Sequence, residues 1–240
     1  MRYIPLSNSV YKRNRRNFMD EMKGNSLAVF NSNDIYPVSA DSELPFEQHR
    51  DIFHLTGIDQ EETILILYPA SKNHKTREIL FIRKSDNHTK VWEGEKLSKK
   101  QANELSGINN ICYIEDFKDI LSSIATKVDT FYINKNEHYR ANSPVETRED
   151  RFISWLLKKY PAHNVAKSNP ILQRQRSIKH PYEIDQIKRA CEITGKGFNR
   201  VLKFIKPNIW EYEIEAEFIH EFINNSSKGF AYSPIIASGN

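Results

Sequence analysis

The residues best suited to chemistry are few, and their spacing is mostly wrong for it. His220-Glu221-Phe222-Ile223-Asn224 has the outline of the helical zinc motif HExxH, in which two histidines one turn apart share the metal. Asn224 stands where the second histidine belongs, so a structural role with both side chains partly exposed follows. Glu211, Glu213, Glu215 and Glu217 form an acidic run, but their every-second-residue spacing spreads them around a helix. They suit the positive end of a helix dipole rather than a paired-carboxylate site. No serine lies in a G-x-S-x-G elbow, and the eight glycines are scattered singly, so no phosphate cradle forms. Two segments resist so plain a reading. Ala40 to Gly57 mixes turn residues, charges and aromatics where a strand would alternate, and Val91-Trp92-Glu93-Gly94 sets a tryptophan beside a glycine in polar surroundings. Large aromatics in such places are enriched at interfaces. A Trp folded over its own domain's core fits the residues equally well.

The elements that must position these residues follow from apolar spacing. Residues 7–23 have a helical face of Val10, Phe18, Met19 and Met22, with Ser7 or Ser9 as cap and Gly24-Asn25 as stop. Leu27 to Phe30, 51–57, 63–68 and 79–82 read as strands separated by polar turns. Helices are predicted over 98–106, 116–126 and 145–159, with strands at 111–114 and 130–134. This alternation indicates an α/β domain of roughly 160–175 residues. Pro161 and Pro170 bracket a polar stretch read as the domain boundary. Beyond it, Ile184, Ile187, Cys191, Thr194, Phe198, Val201 and Ile205 define one face of a long helix, expected to pack on a sheet. Pro207 ends that helix, Asn208 is the expected cap of the next, and Ile214, Phe218, Ile219 and Phe222 form its buried stripe. Tyr232 to Asn240 reads as the start of a buried strand and a turn, an unusual place for a domain to finish. A truncated chain is therefore expected.

Composition bounds the rest. The chain has 240 residues, 39% of them hydrophobic, with 13 Phe, 11 Tyr and 3 Trp, enough apolar bulk for a core. Mean hydropathy is −0.64. A net charge of +4, from 35 Lys+Arg against 31 Asp+Glu, gives no reason to expect a nucleic-acid partner. The densest basic run, Lys12 to Arg16, reads as a solvated helix face. Cys112 and Cys191 are far apart and form no CxxC, so reduced, buried thiols are expected. The apolar stretch from Ile64 to Ala70 is too short to cross a bilayer, and no apolar leader follows Met1. These features predict a cytoplasmic chain without a membrane partner.

Ala40-Asp41-Ser42-Glu43, Pro45-Phe46, Gln48, Asp51, Phe53, Thr56-Gly57 and Val91-Trp92-x-Gly94 resemble the N-terminal domain of the aminopeptidase P (Xaa-Pro aminopeptidase) family. Arg176-Ser-Ile-Lys179-x-Pro181-x-Glu183-Ile184, Lys206-Pro207, Glu211 and Tyr232 to Gly239 continue the resemblance in order, although Glu47 and Asn208 depart from the family's usual arginine and glycine. The resemblance implies a creatinase-type, ribonuclease H-like α/β mixed sheet over residues 1–172. Residues 173–240 would then hold the first helices and strand of a truncated α+β pita-bread domain. It implies removal of a residue preceding proline by two manganese ions, whose five protein ligands and proton-shuttling histidine lie beyond this sequence. Accordingly no catalytic residue, metal ligand or manganese is expected in this chain. Three substrate-binding positions are implied: Tyr232 near the metal site, and Trp92 and Asp41 at a neighbouring subunit's pocket. The implied partners are peptides with proline second and further copies of the chain, as dimer or tetramer. The alternatives are a non-catalytic, peptidase-like binding module of the histone-chaperone kind, or a prolidase- or creatinase-like relative.

Overall fold

A computed structural model describes residues 5–135, 138 and 143–238, the side chains of residues 87–89 excepted. Pro5–Ser177 form one compact unit and Ile178 onward belong to a second. The strands of the first unit are β1 (Ser26–Asn31), β2 (Pro37–Ser39), β3 (Ser42–Glu43), β4 (Ile64–Leu67), β5 (Glu78–Ile82), β6 (Asn110–Tyr113), β7 (Thr130–Ile133) and β8 (Asn164–Lys167). Its helices are α1 (Asn8–Glu21), α2 (Arg50–Thr56), α3 (Asn87–Trp92), α4 (Lys99–Ser106), α5 (Phe117–Ala125), α6 (Arg148–Lys159) and α7 (Asn169–Ser177).

Six strands form one mixed sheet in the order β6-β5-β4-β1-β7-β8. Only β4 runs against the others: it is antiparallel to β1 and β5, while β5–β6, β1–β7 and β7–β8 are parallel. Such a sheet is covered on both faces, which explains why β1 is apolar at successive positions and wholly buried. Ala28 and Phe30 join Phe18, Ile52, Leu55, Ala102 and Leu172 on the face covered by α1, α2, α4 and α7. Leu27 and Val29 join Phe117, Leu121, Phe152 and Leu156 on the face covered by α5 and α6. The expected α/β mixed sheet with flanking helices is thus present.

Three local expectations change. Residues 51–57 form not a strand but α2, because Ile52 and Leu55 bury one helical face. The His49 side chain caps the helix start, and Gly57 ends it in the left-handed region at φ 69°. A side chain at Gly57 would also run into the Tyr11 ring. The polar stretch around Pro161 and Pro170 contains β8, an edge strand exposed along most of its length, and the start of α7. Edge exposure removed the apolar alternation that marks a strand. Finally, the Lys12–Arg16 run is not uniformly solvated, since Arg15 is fully buried.

In the second unit, α8 (Pro181–Phe204) packs against α9 (Glu211–Asn224) through Val201, Phe218 and Phe222, with Phe230 beside them. Gly197 permits this close approach: a Cβ there would sit 2.8 Å from the Phe218 ring. Trp210, rather than Asn208, stands at the start of α9, its backbone N–H donating to Glu213 at 2.8 Å. Asn208 instead takes the left-handed turn before it, at φ 67°. The expected α8 stripe is buried only at Val201; Ile184, Ile187, Phe198, Ile205 and Cys191 are exposed. No strand forms among described residues after Ile178, and Ile235 is exposed. A strand needs a hydrogen-bonding neighbour, and these residues supply none.

Arg15 organises the first unit. Its Nη1 donates to the Leu55 carbonyl at 2.7 Å and the Ser106 carbonyl at 3.0 Å, near the C-terminal ends of α2 and α4. Its Nη2 lies 3.0 Å from Glu78 on β5. Burial pulls the guanidinium's pKa down and Glu78 pulls it back. Arg15→Met leaves Glu78 and two helix-end carbonyls without the cation, so urea denaturation should show a loss of roughly 2–4 kcal/mol. Arg15→Lys should recover little, because an ammonium lacks the planar fork that reaches three acceptors. Wild-type stability in either variant would remove Arg15 from this role.

Candidate functional site

The first unit contains a cavity of about 810 Å³ at the C-terminal ends of β1 and β7. Its residues arrive there for local reasons. Asn31 is the last residue of β1, and Asn134 follows the end of β7. Thr147 caps α6 by accepting from the Asp150 N–H, while Asp150 accepts in return from Thr147. That box places Glu149 in the first helical turn, facing the two strand ends. Glu149 accepts from the Asn31 side chain at 2.7 Å and from the Asn134 backbone N–H at 3.3 Å. Burial pushes its carboxyl up to about 7; the two hydrogen bonds and Arg148 pull it back, and Asp150 adds to the rise.

Asn134 carries the network to the other side of the sheet. Its side-chain amide donates to Asp51 at 3.1 Å, and Arg176 of α7 donates to the other Asp51 oxygen at 2.5 Å. Asp51 lies in the first turn of α2, its backbone N–H donating to the His49 ring at 3.3 Å. Burial holds the His49 pKa below its ordinary value against the pull of Asp51, which suits a neutral ring acting as acceptor. Around the mouth, Asp34 accepts from the Arg148 backbone N–H and pairs with Arg151, and Lys135 lies 3.8 Å from Asp150. The chemistry available is proton exchange at one shielded carboxyl and hydrogen bonding of a polar group. Sequence reading missed Glu149 because a glutamate in a helix's first turn looks like an ordinary dipole partner; only the strand ends beside it show the shielding.

The three positions expected from the resemblance lie elsewhere. Asp41 occupies, with Ala40, the exposed two-residue turn of the β2–β3 hairpin. Trp92 ends α3 and is 77% exposed. Tyr232 belongs to the second unit and is 81% exposed. None lines the cavity. Cys112 is half-buried, and burial raises its thiol pKa. His220 is exposed, while Glu221 holds the Asn225 side chain at 2.7 Å. Among the described residues, no group of three or more His, Cys, Asp or Glu is arranged to hold a metal, and no helix is long and apolar enough to cross a membrane.

The mixed sheet has close counterparts. A family model described as "Aminopeptidase P, N-terminal domain" matches residues 11–132, more than half of the 240. This chain belongs to that family. A second model, "Metallopeptidase family M24", matches residues 185–240. The Xaa-Pro aminopeptidase of Escherichia coli is 26% identical over 240 residues, covering 98% of this chain and 53% of the relative. Xaa-Pro aminopeptidase of Haemophilus influenzae is 26% identical over 237 residues, 98% of this chain and 52% of its own. The low-pH form of E. coli aminopeptidase P superposes with a TM-score of 0.79 at 26% identity, covering 92% of this chain and 50% of that one. The chain thus spans about half the length of the curated relatives it matches.

The Glu149 carboxyl has a direct thermodynamic consequence. A folded-state pKa near 7 against an ordinary 4.5 means the folded form holds a proton that the unfolded form has released. Its contribution is fully present below about pH 4.5 and is lost as pH rises through 7, a fall of roughly 3 kcal/mol. Glu149→Gln keeps the shape without the charge, the Asn31 amide turning to match. Urea denaturation at pH 5 and pH 8 should show the variant close to wild type at the lower pH and about 2 kcal/mol more stable at the higher. An unchanged pH slope would contradict a shielded carboxyl.

Proposed function

We propose that this chain is the amino-terminal part of a manganese-dependent Xaa-Pro aminopeptidase acting in the cytoplasm. The whole enzyme hydrolyses the bond between an N-terminal residue and a following proline. The observation that carries this reading is collinearity: nearly the whole chain aligns, in order, with about half of the E. coli and H. influenzae Xaa-Pro aminopeptidases. The match to the metallopeptidase model from residue 185 adds a metal-dependent hydrolase as the class. In this reading residues 1–172 are the accessory domain and 173–240 the entrance to the catalytic one.

The described residues do not fit the two manganese ions, since they contain no cluster able to hold a metal. In this reading the catalytic step belongs to the remainder of the whole enzyme, and the 240-residue chain is expected to be inactive alone. Its contribution is assembly and pocket shape. Trp92 and Asp41, both exposed on the first unit, reach the substrate pocket of a second copy, and Tyr232 stands beside the metal site of the whole enzyme. The exposed apolar positions of α8 are covered in the whole enzyme by the remainder of the catalytic domain.

The experiment compares the 240-residue chain with the whole protein on a tripeptide bearing proline second, with manganese and with a chelator. The expected result is release of the first residue by the whole protein with manganese only, and none by the 240-residue chain. A whole protein inert with manganese but retaining basic peptides would replace the peptidase with a binding module.

A further inference from the structure

Strands β1 and β7 lie side by side and parallel, yet the chain leaves them in opposite directions. From β1 it passes to α2, which packs with Phe18 and Phe30 on one face of the sheet. From β7 it passes to α6, which packs with Phe117 and Leu121 on the other. Where the connections from neighbouring parallel strands diverge, a crevice opens at the strand ends, and open α/β sheets hold their ligands there. The cavity of about 810 Å³ occupies this place.

Its floor has acceptors left over. Asn134 lines the cavity and is 2% exposed, and its Oδ1 is buried with no hydrogen-bond partner among the described residues. The amide nitrogen is committed to Asp51, outside the lining, which leaves the oxygen edge for the cavity. A buried acceptor without a donor costs folding free energy, and a ligand that brings a donor recovers it. Beside it, Glu149 receives one N–H on each oxygen, from Asn31 and Asn134, so each oxygen keeps a free lone pair. Around the mouth Asp34, Glu47 and Asp150 pair with Arg151, Arg50 and Lys135. Among the described residues Glu149 has no such cation within reach, and Arg148 and Asp150, on its own helix, act on its charge in opposite senses. Glu146, Lys135 and Arg148 also line the cavity, as do the two histidines His49 and His138, so that carboxyls outnumber fixed cations there.

We propose that this cavity binds a primary ammonium on a short apolar chain, its N–H groups donating to Glu149 and to the Asn134 Oδ1. An ammonium carries three donors on a compact head, which suits acceptors converging from two side chains. Tyr36, Leu44, Val145 and Ile153 supply an apolar wall for the chain behind it. Glu149 must be ionised to hold the cation, so its proton passes to solvent as the ligand arrives. With that carboxyl pushed up to about 7, binding strengthens as pH rises through 7.

The test titrates the isotope-labelled 240-residue chain with n-butylammonium chloride at constant ionic strength and reads the side-chain amide resonances of Asn31 and Asn134. Two comparators are added at equal concentration: n-butanol, which lacks the charge, and tetramethylammonium, which lacks the N–H donors. Both resonances should move saturably with n-butylammonium and little with either comparator. The dissociation constant should fall about tenfold between pH 6 and pH 8, because the ionised fraction of Glu149 rises by that factor. Glu149→Gln, which keeps the fold at both pH values, should weaken binding at least tenfold and remove its pH dependence. An equal response to n-butanol reduces the site to an apolar hollow, and an equal response to tetramethylammonium reduces it to diffuse charge. Either result overturns the proposal, as does a response that never saturates or a Glu149→Gln chain that binds like the wild type.

Discussion

One buried guanidinium decides how the layers of the first unit meet. Arg15 is fully enclosed, and enclosure of a cation is tolerable only when acceptors surround it. Those acceptors come from places remote in sequence: the end of α2, the end of α4 and the start of β5. The two helix ends are where partial negative charge gathers, so α1 neutralises two dipoles at once. Asn14 reinforces the same junction by donating to the His54 carbonyl at 2.8 Å. With α1 so fixed, Phe18 meets Phe30 of the central strand edge-on, at 5.2 Å between ring centres.

A second polar path serves the opposite ends of the strands. Glu149, Asn134, Asp51 and Arg176 connect α6, β7, α2 and α7 in series. This path joins two pieces of the sequence that carried the family resemblance, Asp51 and Arg176, across 125 positions. Gln48, from the same stretch, donates to the Ile58 and Gln60 carbonyls and accepts from the His49 N–H. Much of what looked like a functional signature is therefore framework: it builds α2 and the turn that follows. Other members of the same stretches are exposed, Asp41 and Trp92 among them.

Legibility followed burial geometry. Helices that bury an apolar face, such as α1, α4 and α5, were readable from spacing, as was β1 from its unbroken apolar run. The short α2 was misread because seven residues show only two turns, and Ile52, Phe53 and Leu55 also suit a strand. Strand β8 was missed because an exposed edge has no apolar face to display. Arg15 looked like one charge among neighbours, since nothing local tells which residue of a basic run points inward. The α8 stripe was correctly periodic, yet periodicity reports a face able to be covered, not one that is covered among the residues at hand. Family membership was legible because its residues are numerous and collinear; the Glu149 environment was not, since it depends on Asn31, 118 positions away, as well as on the nearby Asn134.

The sheet order also sets a timetable for synthesis. Strand β1 meets β4 after about 35 residues, but its other neighbour, β7, begins at residue 130. While the ribosome makes the intervening chain, one edge of a strand that is apolar from Leu27 to Phe30 stays unpaired, a template for pairing with other chains. The antiparallel trio β1–β4–β5 can form early because its contacts are local. Arg15 cannot be satisfied until Ser106 has emerged. The nascent chain is therefore most exposed to misassembly between those early hairpins and the arrival of β7, the stretch in which slower translation or a bound chaperone would matter most.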